Sequence, residues 1–378
     1  MGGVGGTITF QEAVRFGHSP AFSLMIKPVG DICNMRCAYC YYTGRSSAVA
    51  GGKSGVMEPS LLEECLRNFF SSCDLPELTV EWHGGEPLLA GLDFFKEAVS
   101  MERRLSGGRK VHNTLQTNGT LLDGEWASFF RDEDFLLGLS LDGPEDIHDS
   151  YRRCAGGRPS FGSVMRGMET LLRAGVEFNT LTTVNRTSEG RGEEVYRFLK
   201  SAGSRYMQFM PVMEHLPDGS VAPYSVSPEG FGRYMCDIYD CWSQGDAGEY
   251  YVLTFDAALA CRYGIEPGIC AFRSSCGGNL VVERDGGIYP CDHYVRPGYS
   301  LGNVRISSLR DAAASPEQMR FGLAKRSALS PRCLSCTWRF ACNGGCPRHR
   351  NSDGLNALCE GYKMLYSHIS SLFDVKDL

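Results

Sequence analysis

The chain has 378 residues, room for two domains of ordinary size. Apolar residues make up 43% and charged residues 22%, the make-up of a soluble globular protein, which excludes a disordered polymer or a collagen-like repeat. Thirty-eight Lys and Arg against 44 Asp and Glu leave a net charge of −6, which argues against a general nucleic-acid surface and leaves a small polar or peptide substrate open.

Residues 1–20 form an N-terminal arm. Its start, Met1-Gly2-Gly3-Val4-Gly5-Gly6, has no basic stretch followed by an apolar core, so no export signal is expected and the cytoplasm is the expected location. Short apolar runs then read as strands at Phe22–Lys27, Leu78–Trp82, Val111–Gln116, Phe135–Leu141, Phe178–Val184 and Tyr206–Pro211. Amphipathic stretches alternate with them, the clearest opening at Glu58-Pro59-Ser60 with Leu61, Leu62, Cys65, Leu66, Phe69 and Phe70 on one face. Six β-then-α units imply an α/β fold with a parallel sheet over residues 21–245, rolled into a partial (β/α)6 TIM-like barrel. A helix is expected at Glu229–Ser243. Residues 246–378 hold a linker and a Gly-, Cys- and Pro-rich tail, with one hairpin on Asp285-Gly286, that needs a metal staple to fold. No apolar run approaches the roughly 20 residues of a membrane helix, so no membrane partner is expected.

Cysteine is the residue in excess, at 17, an odd number for a disulfide scheme. In a reducing compartment clustered thiols hold metal more often than one another. Cys33, Cys37 and Cys40 stand in a C-x3-C-x2-C spacing directly after the first strand. Three thiolates this close can hold three corners of a cubane cluster and leave the fourth iron open; a zinc knuckle with a distant fourth ligand is the alternative.

C-x3-C-x-aromatic-C, with Tyr39 as the aromatic, resembles the signature of radical S-adenosylmethionine (SAM) enzymes. The resemblance implies that the open iron chelates SAM, whose reductive cleavage gives a 5′-deoxyadenosyl radical. Further segments fit it at strand ends. Gly84-Gly85-Glu86 resembles the motif that meets the SAM amino group, and Gln116-Thr117-Asn118-Gly119 resembles another family segment. Ser140 and Arg152 resemble the ribose and carboxylate contacts, Arg suiting a carboxylate through its planar fork. Met210 would pack on the adenine.

A second constellation runs Cys276-x9-Gly286-x4-Cys291, then Cys333-x2-Cys336-x5-Cys342-x3-Cys346, then Cys359, with Cys270 as an eighth thiol. It resembles the SPASM domain, and a pair of zinc ribbons is the alternative. The resemblance implies two fully ligated [4Fe–4S] clusters, one on Cys270, Cys276, Cys291 and Cys346, the other on Cys333, Cys336, Cys342 and Cys359. With the open cluster this makes three. The remaining thiols, Cys65, Cys73, Cys154, Cys236, Cys241 and Cys261, fit no ligand spacing and read as structural.

Tyr289-Pro290-Cys291-Asp292-His293-Tyr294, with Glu81–Leu89, Gln208–Pro211 and Leu301-Gly302-Asn303, is similar to segments of anaerobic sulfatase-maturating enzymes. That likeness implies oxidation of a Cys or Ser in a sulfatase polypeptide to Cα-formylglycine, with Asp292 as the base and Tyr42 at the peptide pocket. A flavodoxin- or ferredoxin-type protein would supply electrons, no nucleic acid would be bound, and the chain would act as a monomer. A SPASM enzyme that cross-links a ribosomal peptide through a thioether is the alternative. A zinc-stabilised binding module is a rival from another class.

Overall fold

In chain order, the computed structural model, which describes residues 21–42 and 55–373, forms β1 (Ser23–Ile26), α1 (Pro59–Ser72), β2 (Glu77–Trp82), α2 (Leu92–Leu105) and β3 (Lys110–Thr117). Next come α3 (Gly124–Asp132), β4 (Leu136–Ser140), α4 (Glu145–Tyr151), α5 (Phe161–Ala174), β5 (Phe178–Val184), α6 (Gly192–Ser201), β6 (Tyr206–Pro211) and α7 (Pro228–Ser243). The C-terminal part holds β7 (Tyr251–Val252), α8 (Leu253–Arg262), β8 (Asn279–Val282), β9 (Gly287–Tyr289), β10 (Gly302–Asn303), α9 (Leu309–Ala314), α10 (Pro316–Ser327), α11 (Pro331–Leu334), α12 (Arg339–Cys342) and α13 (Cys359–His368). The six expected strands form within two residues of their expected limits. The arm expected at residues 1–20 lies outside the described residues.

Helix starts follow local chemistry. Pro59 opens α1, where a missing amide donor is harmless, and Leu61, Leu62, Cys65, Leu66, Phe69 and Phe70 are all buried, as their spacing predicts. Asp123 caps α3 by accepting from the amides of Glu125 and Trp126, and Ser227 caps α7. The tail is more helical than its sequence suggests. In α10 the apolar residues gather on no single face, so periodicity carries no signal for it.

Two compact units divide the chain, and both draw on both sides of residue 245. One comprises the chain up to Ile32, Tyr42–Leu115 and Gly277–Gly322; the other comprises Cys33–Tyr41, Gln116–Cys276 and the chain from Leu323. In the first, the strand order is β10-β9-β8-β1-β2-β3. Here β1 pairs in parallel with β2 on one side and with β8 on the other, while β8-β9 and β9-β10 are antiparallel. In the second, β4-β5-β6-β7 run parallel. Among the described residues β10 and β7 are each paired on one side only. In the second unit α7 packs against α6 and α13. Glycine permits the α13 contact, since a Cβ on Gly361 would lie 2.2 Å from the Pro228 carbonyl oxygen.

Candidate active site

Parallel strands deliver their following residues to one edge, and in the first unit β1, β2 and β8 end in register, Ile26 opposite Trp82 and Val282. The next residues are Lys27, His83 and Glu283. Lys27 and Glu283 are almost wholly shielded from solvent. Lys27 Nζ lies 2.5 Å from Asp292 Oδ1 and 3.2 Å from Glu283 Oε1, and stands 3.9 Å from the centre of the Tyr42 ring. Tyr42 is buried and its hydroxyl donates to Asp292 Oδ1 at 2.7 Å. Burial pushes the Asp292 carboxyl up, but Lys27, His83 and His293 outweigh it and hold the group well below the ordinary carboxylate range. Asp292 is therefore a carboxylate. Burial raises Glu283 despite Lys27, the cation it faces.

Gly84 and Gly85 serve the chain itself. Gly84 has φ +130°, and a Cβ on Gly85 would lie 2.1 Å from the Ile32 carbonyl oxygen. The amides of Gly85 and Glu86 donate to the carbonyls of Gly30 and Ile32, pinning the turn that leads to Cys33. Glu86 is fully buried, and its Oε1 accepts from the Leu88 amide and caps a short helical turn. At these glycines the loop after β1 comes close.

In the second unit the Cys33–Cys40 loop is clasped by asparagines. Asn118 Nδ2 donates to Asn34 Oδ1 at 2.8 Å, and Asn34 Nδ2 donates to Thr120 Oγ1 at 2.8 Å. The Met35 amide points at Cys33 Sγ, 3.3 Å away. Beyond β4, Asp142 is fully buried and accepts from the Thr183 amide and hydroxyl and from the Tyr39 hydroxyl. Arg152 Nη1 donates to the Tyr39 oxygen at 3.1 Å, and Asp142 lies 4.0 Å from Arg152. Thr183 stands in register with Met210. Ser140, Tyr39, Asp142, Arg152 and Met210 thus belong to one unit with the three cysteines, and the fields of Arg152, Cys40 and Asp142 all act on Cys37. Buried Arg152 Nε has no hydrogen-bond partner among the described residues, which fits a guanidinium that still lacks an anionic ligand. His148 accepts from the Asp142 amide through Nδ1 and meets the Ser160 hydroxyl through Nε2.

The C-terminal cysteines of this unit fall into two sets. Cys333, Cys336, Cys342 and Cys359 line one pocket, with Trp338 and Tyr362 among its other walls. Burial, then the Cys359, Cys333 and Cys336 thiols, push Cys342 up to about 12. Cys346 is pushed up to about 11 by burial and then by Cys270 and Cys276. Buried thiols crowded in this way resist ionising alone; an iron–sulfur cluster, which takes them as thiolates, resolves the conflict. Sequence reasoning missed Lys27, Glu283 and the Asn34–Asn118 clasp. A lysine ending an apolar strand run was the available signal for the first.

The comparisons agree with this picture. Residues 28–205 match the radical SAM superfamily and residues 270–337 match SPASM, an iron–sulfur cluster-binding domain. The chain is therefore a radical SAM enzyme with a SPASM domain, and iron–sulfur chemistry with SAM belongs to its class. The serine-type anaerobic sulfatase-maturating enzyme of Bacteroides thetaiotaomicron is 38% identical over 372 residues, 93% of this chain and 90% of that one. The cysteine-type enzyme of Clostridium novyi is 31% identical over 362 residues, 93% and 96% of the two chains. A solved structure described as native anSMEcpe with bound AdoMet and Cp18Cys peptide superposes with a TM-score of 0.86 at 30% identity, covering 94% of this chain and 99% of that one. The chain belongs to the family of anaerobic sulfatase-maturating enzymes.

Proposed function

We propose that this chain oxidises a Cys or Ser side chain of a sulfatase polypeptide to Cα-formylglycine. The observation that carries the reading is Asp292. It is an ionised, largely shielded carboxylate directly after Cys291, bonded to Tyr42, in a chain similar to maturating enzymes along its length. The higher identity to the serine-type relative favours Ser as the target residue.

Cys33, Cys37 and Cys40 would hold the open cluster, with Gly84, Gly85, Glu86, Ser140, Arg152, Met210 and Tyr39 around SAM. When bound, the pair supplies a 5′-deoxyadenosyl radical, which takes one hydrogen atom from the substrate Cβ. The S–H or O–H proton then passes to an Asp292 oxygen while Tyr42 holds the carboxylate in line and packs on the peptide. One electron leaves the substrate. Cys270, Cys276, Cys291 and Cys346, and Cys333, Cys336, Cys342 and Cys359, would hold two further [4Fe–4S] clusters, three in all, whose chemistry is one-electron transfer. Ser gives the aldehyde directly; Cys gives a thioaldehyde that water hydrolyses with loss of hydrogen sulfide. Residues 21–245 would form the radical SAM core and 246–378 the cluster domain. A reduced flavodoxin or ferredoxin-type protein would supply electrons to a monomer in the cytoplasm.

The test is anaerobic incubation of the reconstituted protein with SAM, a reductant and sulfatase-type peptides carrying Ser or Cys. Aldehyde formation at that residue, read by mass spectrometry, supports the proposal. Release of 5′-deoxyadenosine with no aldehyde from either peptide rejects it while leaving the radical SAM chemistry standing.

A further inference from the structure

Two cations of the second unit, Lys325 buried and Arg350 half-buried, have no carboxylate paired with them among the described residues. Lys325, on α10, is 1% exposed, and its Nζ donates to the carbonyl oxygens of Cys270 and Ala271 at 2.8 Å each. Arg350 donates from Nε to Gly344 at 3.1 Å, from Nη1 to the Lys325 carbonyl at 2.7 Å, and from Nη2 to Asn343 at 3.2 Å. Gly344 and Gly345 join Cys342 to Cys346, so this guanidinium lies under the loop that links the two cysteine sets. No Asp or Glu pairs with either cation among the described residues, whereas Arg348, two residues before Arg350, pairs with Glu214 at 2.5 Å.

Carbonyl dipoles alone do not repay the desolvation of a full charge, and buried charges are found paired with an opposite one. The anions within the field of these two side chains are cysteine sulfurs. Lys325 acts on Cys276, Cys270 and Cys346, and Arg350 acts on Cys333, Cys276, Cys346 and Cys342. Thiolates on a [4Fe–4S] cluster carry a net negative charge that grows by one on reduction, which is the missing counterion.

Resting on the cluster assignment above, we propose that Lys325 and Arg350 are the countercharges of the auxiliary clusters and set their reduction potentials. Lys325 serves the cluster on Cys270, Cys276 and Cys346, and Arg350 serves both. A fixed cation favours the reduced, more negative cluster and raises its potential. Each cluster is thereby made a better acceptor for the electron that leaves the substrate.

The experiment is an EPR-monitored redox titration, with iron counts, on the reconstituted full-length protein and three variants. Lys325→Gln keeps donors but loses charge, Lys325→Arg keeps the charge, and Arg350→Gln removes the second cation. We expect Lys325→Gln to shift one auxiliary signal to lower potential, Lys325→Arg to titrate as the parent does, and Arg350→Gln to lower both. If a variant loads poorly, iron content replaces potential as the readout, and full loading of Lys325→Arg beside deficient Lys325→Gln supports the assignment. Gln variants that load and titrate as the parent does overturn it, as do Lys325→Arg and Lys325→Gln equally impaired in loading. A parent protein that binds no auxiliary cluster refutes the ligand assignment instead.

Discussion

Lys27 Nζ and Asp292 Oδ1 lie 2.5 Å apart, an ammonium wholly shielded from solvent against a largely shielded carboxylate. The ion pair fixes the charge state and direction of the carboxylate before any substrate arrives. It also makes Asp292 a weaker base than a free carboxylate, so the proton it takes must come from a group made more acidic by loss of the Cβ hydrogen.

Asp292→Asn is expected to keep SAM cleavage and lose product. The amide preserves shape and the Tyr42 contact but accepts no proton, and general base groups contribute roughly 10²–10⁴-fold. Parallel assays of 5′-deoxyadenosine and peptide aldehyde decide it; an unchanged aldehyde yield removes Asp292 from the base role.

Lys27→Met leaves Glu283 and Asp292 buried without their shared cation. Breaking a buried pair in this way costs about 3–5 kcal/mol, whereas removing charge from both sides costs far less. The urea midpoint of Lys27→Met should fall steeply, and adding Glu283→Gln should recover part of the loss. A double variant no more stable than the single one would show that the carboxylates are not what Lys27 compensates.

Arg152→Lys should bind SAM at least roughly tenfold more weakly, a loss of about 1.4 kcal/mol. A lysine can replace the charge but not the bond to Tyr39 and the unpartnered Nε together. Equilibrium dialysis with SAM on the reconstituted protein measures this directly, and parent-like affinity would assign the guanidinium to structure alone.

Asp256, on α8, gives a pH test outside the site. Desolvation pushes its carboxyl up to about 6. A folded-state value above the unfolded one of about 3.9 means its contribution is complete in acid and is lost as the pH rises through about 6. Asp256→Asn should therefore raise stability by about 1–2 kcal/mol at pH 8, the group being only partly buried, and leave it unchanged near pH 4. Thermal unfolding at the two pH values separates the cases, and an equal effect at both would refute the assignment.

Much of the candidate site is legible in the sequence because its signals are local. Cysteine spacings, the Gly84-Gly85-Glu86 turn and six apolar runs each sit within a few residues of themselves. Lys27 and Glu283 are not. Each is a charged residue ending an apolar run, which reads as a surface position until β8 lies parallel to β1 and closes over both. Asn118 was seen as part of a motif, but its grip on Asn34 depends on a loop more than 80 residues away. Gly84 and Gly85 also meet the backbone of the loop after β1, and an isolated sequence does not say that this neighbour comes close.

The parallel pairing of β1 with β8 also orders events during synthesis. Leu24 is opposite Leu280, so the first strand of the chain finds one of its two partners only after some 250 further residues have been made. At roughly 5–20 residues per second that interval is on the order of 10–50 s. Until then Lys27 has neither Asp292 nor Glu283 to meet, and the Cys33–Cys40 loop leaves the ribosome well before β8 is made. On the proposed ligand assignment, cluster insertion at Cys33, Cys37 and Cys40 would compete with folding during that period, and a nascent chain truncated before residue 279 would leave β1 with an unfinished edge.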